Sequence, residues 1–240
     1  MSKVTRAMIM GAGLGTRMRP LTDDRPKPMV TVAGRTLIDH SIDRLIAAGV
    51  NRIVVNVHYK ADVLRAHLDK RRDVEIVYSD ETEKLLDTGG GVVKVMPHFA
   101  GEPFFVINSD SIWAEGGLPP LPAMQRLWDA QRMDALLLLA EMETAMGYEG
   151  SGDFVLEADG KVARAKDRIE QPYAYPGVQI VHPRLFDNAP DGAFSTNIMW
   201  DRAIEAGRLY GTVLEGVWIH VGTPEARGEA EDYLAALSPA

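Results

Sequence analysis

The sequence predicts an α/β fold: a Rossmann-like, open and mostly parallel sheet covered by helices, with a small substrate-binding lobe. Three observations carry this. Short apolar runs alternate with segments of helical spacing over the first 110 residues. A glycine-rich, basic stretch, GAGLGTRMRPLTDDRPKP (11–28), follows the first apolar run. The rhythm then breaks into short, turn-rich segments after Asp110. Alternating strands and helices imply parallel pairing, and uniformly apolar strands imply a sheet covered on both faces.

Taken in order, TRAMIM (5–10) reads as a buried strand running into the glycine loop. Residues 36–48 place Leu37, Ile38, Ile42, Leu45 and Ile46 on one helical face, and Gly49 is a fitting stop. RIVVNV (52–57) is a strand, 60–69 a helix, VEIVYS (74–79) a strand, GGVVKVMPHF (90–99) a helix and PFFVINSD (103–110) a strand. Pro119, Pro120 and Pro122 then precede a helix expected near 123–132, followed by a strand in DALLLLAEM (134–142). Residues 152–181 read as short strands with turns, including one at Asp159-Gly160. A helix near 194–206, strands at 208–213 and 217–221, and a last helix from Pro224 complete the reading. The expected organisation is a single domain, 1–240, in two halves (about 1–115 and about 116–240), the second forming a substrate lobe on the same sheet.

Composition narrows the functional classes. The 240 residues carry 26 Lys and Arg against 34 Asp and Glu, a net charge of −8. An acidic chain is a poor general binder of nucleic acid, so none is expected as a partner. No apolar run reaches the roughly 18 residues of a membrane span, and the N-terminal residues lack the order of a secretory signal. There is no cysteine, hence no disulfide or thiol chemistry. A cytoplasmic location is expected, and the sequence leaves the oligomeric state open.

Against this acidic background the cations Arg17, Arg19, Arg25 and Lys27 form a local patch beside Gly11, Gly13 and Gly15. Glycines let backbone N–H groups approach an anion, and fixed cations neutralise it, so the loop suits a polyphosphate held with a metal ion. A Walker loop is excluded because no Lys follows a glycine in the required pattern. A dinucleotide fingerprint fails because its third glycine would fall on Thr16.

In open α/β sheets, ligands gather at the carboxyl ends of strands. The glycine loop, LDTGGG (86–91) and INSD (107–110) all fall there. Asp110 ends an apolar strand, where a carboxylate is costly unless it caps a turn or binds a cation. By itself Asn108 reads as a turn residue, and Thr88 as a helix cap.

Together these motifs resemble the sugar-nucleotidyltransferase family, whose signature is G-x-G-T-R followed by P-K-P. The resemblance spans nearly the whole chain and is densest in the first 115 residues. Within the family, LDTGGG, NSDSIW (108–113), GDF (152–154) and HPRLF (182–186) are most similar to uridylyltransferases acting on N-acetylmuramic acid 1-phosphate. It implies a glycosyltransferase-A-like nucleotidyltransferase fold, with a nucleotide-binding half (about 1–115) and a sugar-phosphate-binding half (about 116–240). The implied substrates are UTP and N-acetylmuramic acid 1-phosphate, and the products UDP-N-acetylmuramic acid and pyrophosphate, a step of peptidoglycan recycling. The implied catalytic residues are Arg17, on the leaving β- and γ-phosphates, and Lys27, near the α-phosphate. Ala12, Gly13, Gly15, Thr16, Thr88 and Gly89 would join them in binding nucleotide. Asn108, Asp153, Gly177 and Lys166 would bind the sugar phosphate, with Asp153 equally readable as a turn residue. Asp110 would hold Mg²⁺. The chain departs from the family pattern W-x-D-x-G-T by carrying His220 in the place of the Asp, a second metal ligand in relatives. Imidazole serves Mn²⁺ better than Mg²⁺. Either the metal rests on Asp110, phosphates and water alone, which is the favoured reading, or the preferred ion is softer than Mg²⁺ and His220 binds it, or activity is impaired; a plain strand histidine is the remaining alternative. Guanylyl or thymidylyl transfer to a hexose or heptose 1-phosphate is the alternative enzyme reading. A non-catalytic nucleotide-sugar-binding subunit is the alternative of another class.

Overall fold

The structure is a computed structural model, and it describes residues 3–167 and 171–237. The first half contains β1 (Arg6–Met10), β2 (Thr31–Val32), β3 (Arg35–Thr36), α1 (Leu37–Ala47), β4 (Arg52–Val57), α2 (Ala61–Leu68), β5 (Glu75–Asp80), α3 (Asp87–Val95) and β6 (Phe104–Asn108). The second contains β7 (Ser111–Glu115), α4 (Pro120–Leu127), β8 (Ala135–Glu141), β9 (Ala145–Met146), β10 (Phe154–Leu156), β11 (Val162–Arg164), β12 (Tyr173–Ala174), β13 (Val178–Val181), α5 (Asn197–Glu205), β14 (Leu209–Val213), β15 (Gly216–His220) and α6 (Pro224–Leu237).

The main sheet runs β11-β10-β12-β8-β13-β6-β1-β4-β5, with β14 also paired to β8. β6, β1, β4 and β5 are parallel neighbours, and β14 is parallel to β8. β13 lies antiparallel between β6 and β8, so β6 and β8 point the same way. β12 is antiparallel to β8 as well, so β12 and β13 run the same way and follow one another along that strand.

Strand side chains alternate between two cores, as period two requires. On one face Ala7, Ile9, Ile53, Val55, Phe105 and Ile107 pack under Ile38, Ile42 and Leu45 of α1 and Leu64 and Leu68 of α2. On the other, Met8, Val54, Phe104 and Val106 pack under Val92 and Val95 of α3 and Met199 and Trp200 of α5. α1 is set by its cap: the Thr36 hydroxyl accepts from the Asp39 N–H at 3.2 Å. The expected Asp-Gly hairpin is present, with β10 antiparallel to β11 around Gly160.

Two expectations need correction. The helix placed near 123–132 is α4, Pro120–Leu127. Pro119 is the N-cap, and Pro120 and Pro122 lie inside the first turn rather than before it, because N–H groups there have no helical partner to lose. α3 begins at Asp87, ahead of 90, and gives way at Met96–Phe99 to a 3-10 turn containing Pro97. The structure also adds a second sheet, β7-β15-β9, which the sequence reading lacked. Met18, Val32, Ile112, Ile219, Val221 and Ala230 form the small core beside it.

Candidate active site

A cleft of about 400 Å³ opens at the carboxyl ends of β6, β1, β4 and β5. Reading across the sheet, these ends present Asn108 and Asp110, then the glycine loop, then Asn56, then Glu81.

The glycine loop leaves β1 and turns back at Thr16–Met18, with Gly15 left-handed at φ +64°. A Cβ on Gly15 would stand 3.1 Å from the Cβ of Lys27. The loop is thus fitted against the Pro26-Lys27-Pro28 turn. Ala12, Gly13, Gly15, Thr16, Arg17 and Lys27 all line the cleft. Arg17 is exposed, while the Lys27 side chain is only 13 % exposed. Lys27 is aimed at Asp110: its Nζ donates to Oδ2 at 2.6 Å.

Asp110 occupies the turn between β6 and β7. β7 pairs with β15 so that Ser111 opposes His220, which brings the imidazole beside the carboxylate. His220 Nε2 lies 3.4 Å from Asp110 Oδ2, and Nδ1 lies 3.3 Å from the carbonyl oxygen of Gly147. Burial would push the Asp110 carboxyl up, but the hydrogen bond from His220 and the Lys27 charge outweigh it and hold it well below the usual carboxylate range. Asp110 is therefore an anion clasped by a cation before any substrate arrives.

Thr88 lines the same cleft from the first turn of α3. Its hydroxyl does not cap that helix; it accepts from the Thr196 N–H at 2.9 Å, tying α3 to the start of α5. Gly89 is buried, and a Cβ there would collide with the Phe194 ring. It donates through its N–H to Phe194 O at 2.8 Å. Its glycine identity thus has a packing reason.

The expected sugar-side residues are spread more widely. Asn108 lines the cleft, and its N–H donates to Gly177 O at 2.8 Å. Gly177 is left-handed at φ +76°, and a Cβ there would collide with the Asn108 side chain. These two are brought together. Asp153 stands apart on the β10 side, its Oδ2 accepting from Tyr148 Oη at 3.0 Å and from the Tyr175 N–H at 2.8 Å. Burial and the Asp153 charge push the Tyr148 hydroxyl up to about 12. Lys166 is exposed on a 3-10 turn after β11.

Sequence reasoning missed two cleft residues. Asn56 Oδ1 accepts from the Gly11 N–H at 2.7 Å, and its Nδ2 donates to Glu81 Oε1 at 2.8 Å. Glu81 is 1 % exposed, and its other oxygen accepts from the Leu86 N–H at 3.0 Å. The available signal was an Asn inside the apolar run RIVVNV and a Glu just beyond the next strand.

Among the described residues no three His, Cys, Asp or Glu side chains converge as a metal cage. One carboxylate beside an imidazole nevertheless fits a hard divalent cation that takes its remaining oxygens from phosphates and water.

The parallel strand ends, the glycine loop and the Lys27–Asp110 pair define a nucleotide-handling enzyme of the α/β class. The chain belongs to the nucleotidyl transferase family, whose model matches residues 6–236. It is 47% identical over 95% of its length to the N-acetylmuramate alpha-1-phosphate uridylyltransferase of Caulobacter vibrioides, covering 96% of that protein. It is 33% identical to the enzyme of the same name from Neisseria meningitidis, over 96% of this chain and 99% of that one. A more distant relative is mannose-1-phosphate guanylyltransferase 1 of Arabidopsis thaliana, 30% identical over 97% of this chain and 63% of that one. The fold matches a UDP-glucose pyrophosphorylase complexed with UDP-glucose at TM-score 0.79 and 17% identity, over 98% and 100% of the two chains. Relatives of this kind are sugar-1-phosphate nucleotidyltransferases, a family that generally uses a divalent metal.

Proposed function

We propose that this protein transfers UMP from UTP to N-acetylmuramic acid 1-phosphate, giving UDP-N-acetylmuramic acid and pyrophosphate. The observation that carries the reading is the cleft itself. It combines a glycine loop, two cations and one anionic metal-ligand candidate at the carboxyl ends of parallel strands. The choice of base and sugar rests on the likeness to the two uridylyltransferases.

The sugar phosphate is mostly dianionic near neutral pH, with a second pKa of about 6, so its oxygen needs no general base. That oxygen attacks the α-phosphorus of UTP. The bond from the α-phosphorus to the bridging oxygen breaks, and pyrophosphate leaves with the electron pair. The difficulty is bringing two anions together and stabilising the charge on the leaving group, which positioning and fixed cations supply. Backbone at Gly13 to Thr16 cradles the triphosphate, and Arg17 holds the leaving β- and γ-phosphates. Lys27 exchanges its Asp110 partner for the α-phosphate, 2.6 Å being its present distance to that carboxylate. Asp110 would hold Mg²⁺ together with triphosphate oxygens, and the ion when bound would neutralise charge on the departing pyrophosphate. His220 steadies Asp110 in this reading. Asn108, Gly177, Asp153 and Lys166 are assigned to the sugar-phosphate side.

A pyrophosphate-release panel of four nucleoside triphosphates against several sugar 1-phosphates, each with Mg²⁺ and with Mn²⁺, tests the assignment. Turnover confined to UTP with N-acetylmuramic acid 1-phosphate is expected. Strong turnover with another pair, and none with this one, would sink it.

A further inference from the structure

Glu81 is a carboxylate with 1 % exposure that lines the nucleotide cleft, yet nothing in the transfer chemistry uses it. It is one link of a hydrogen-bond chain that crosses the cleft floor. The Gly11 N–H donates to Asn56, Asn56 donates to Glu81, and Glu81 accepts from the Leu86 N–H. The two ends belong to the two walls of the cleft: Gly11 opens the glycine loop, and Leu86 precedes α3 and Thr88. Room for the chain is left by Gly91, where a Cβ would stand 3.1 Å from Glu81 Oε1 and 3.3 Å from Asn56 Nδ2.

We propose that Asn56 and Glu81 are positioning residues that fix the glycine loop at one spacing from the start of α3, and so set nucleotide affinity. The inference rests on the nucleotidyl-transfer reading of this cleft.

The chemistry imposes a pairing rule. Both ends of the chain are backbone donors, so both bridging side chains must present an acceptor outward. Between them one must donate and the other accept. One amide and one carboxylate satisfy all three bonds. Two amides cannot, whichever way either is flipped, because a donor always faces a donor. The carboxylate could equally sit at position 56 with the amide at position 81. The carboxylate would then accept from the Gly11 N–H, and the amide would donate to that carboxylate and accept from the Leu86 N–H. The rule therefore predicts that N56D/E81Q restores what E81Q breaks.

The test compares wild type, E81Q and N56D/E81Q by calorimetric titration with UTP and by kcat/KM for UTP. Each protein is measured well below its own unfolding midpoint, and the midpoint is recorded separately. A buried donor left unpaired should weaken UTP binding about ten- to a hundredfold in E81Q, with the double variant back to within about threefold. A lowered midpoint with unchanged UTP affinity in E81Q would make the chain a mere brace and overturn the proposal. So would a double variant no better than E81Q. If E81Q fails to fold, G91A serves instead: Ala favours a helix by about 1 kcal/mol over Gly, yet the new methyl crowds the chain. Weakened UTP binding with an undiminished midpoint supports the proposal, and unchanged binding overturns it. If wild type binds GTP and not UTP, the substrate assignment fails, and the chain is judged on GTP by the same ratios.

Discussion

Gly11, Gly13 and Gly15 look alike in the sequence, but the structure gives each a different reason, and alanine substitution should separate them. A Cβ on Gly11 would stand 2.8 Å from the backbone oxygen of Asn56 and 3.2 Å from Val55 Cγ1. Neither backbone nor packed strand can yield freely, so Gly11→Ala should cost about 1–3 kcal/mol through overpacking. Gly15 is left-handed at φ +64°. Gly15→Ala should cost about 1–2 kcal/mol in backbone strain, with a push on Lys27 from 3.1 Å away. At about 2–4 °C per kcal/mol for a chain of this size, these become midpoint losses of roughly 2–12 °C and 2–8 °C. Gly13 lines the cleft with no atom of the described residues within 4 Å of its Cβ position, so a methyl there would meet nucleotide. Gly13→Ala should leave the midpoint unchanged or raise it, since Ala restricts the unfolded chain by about 0.4–1 kcal/mol. Its kcat/KM for UTP should nevertheless fall about tenfold or more, because a displacement of about 1 Å at a reacting centre can cost a hundredfold. Differential scanning fluorimetry and steady-state kinetics on the three variants provide the assay. A Gly13→Ala enzyme with wild-type kcat/KM would refute the view that this backbone cradles the triphosphate.

Further outcomes follow from the same geometry. Lys27→Ala should lower kcat about a hundredfold or more with a smaller change in KM, as removal of one fixed donor to a transition-state anion does; steady-state kinetics would expose an unaffected kcat. Asp110→Asn should raise the Mg²⁺ concentration needed for half-maximal rate, and a metal titration identical to wild type would remove Asp110 from the metal site. His220→Asp replaces the Asp110 partner at 3.4 Å with a second carboxylate. Its unfolding midpoint should drop in EDTA and recover more with Mg²⁺ than the wild-type midpoint does; equal responses would contradict this. His40 has its pKa lowered, chiefly by burial. Its stabilising contribution is present above the unfolded value of about 6.5 and is lost as pH falls below it. The urea midpoint should therefore be lower at pH 5.5 than at pH 7.5, with the reverse order counting against the assignment.

Much of the first half was legible because its signals are local. Apolar runs of strand length, helical spacing over 36–48 with Gly49 as its stop, and glycines beside cations each have a direct backbone consequence. The Lys27–Asp110 contact joins residues 83 apart, and it was legible only as two residues of fitting type at fitting places in an α/β sheet. The second half was less readable for a physical reason. β7, β9 and β15 are five, two and five residues long and come from three distant parts of the chain, so no local period announces their pairing. That pairing sets His220 against Asp110. Asn56 and Glu81 escaped because each is unremarked alone; only the parallel register of β4 with β5 makes them neighbours. Pro120 and Pro122 misled because proline breaks helices in their middle but is tolerated in their first turn.

The most direct measurement is phosphorus NMR of the purified protein incubated with UTP, N-acetylmuramic acid 1-phosphate and Mg²⁺. Equimolar UDP-N-acetylmuramic acid and pyrophosphate are expected, with neither formed by Lys27→Ala at the same rate. Unchanged UTP, in a preparation that turns over GTP with a hexose 1-phosphate, would contradict it.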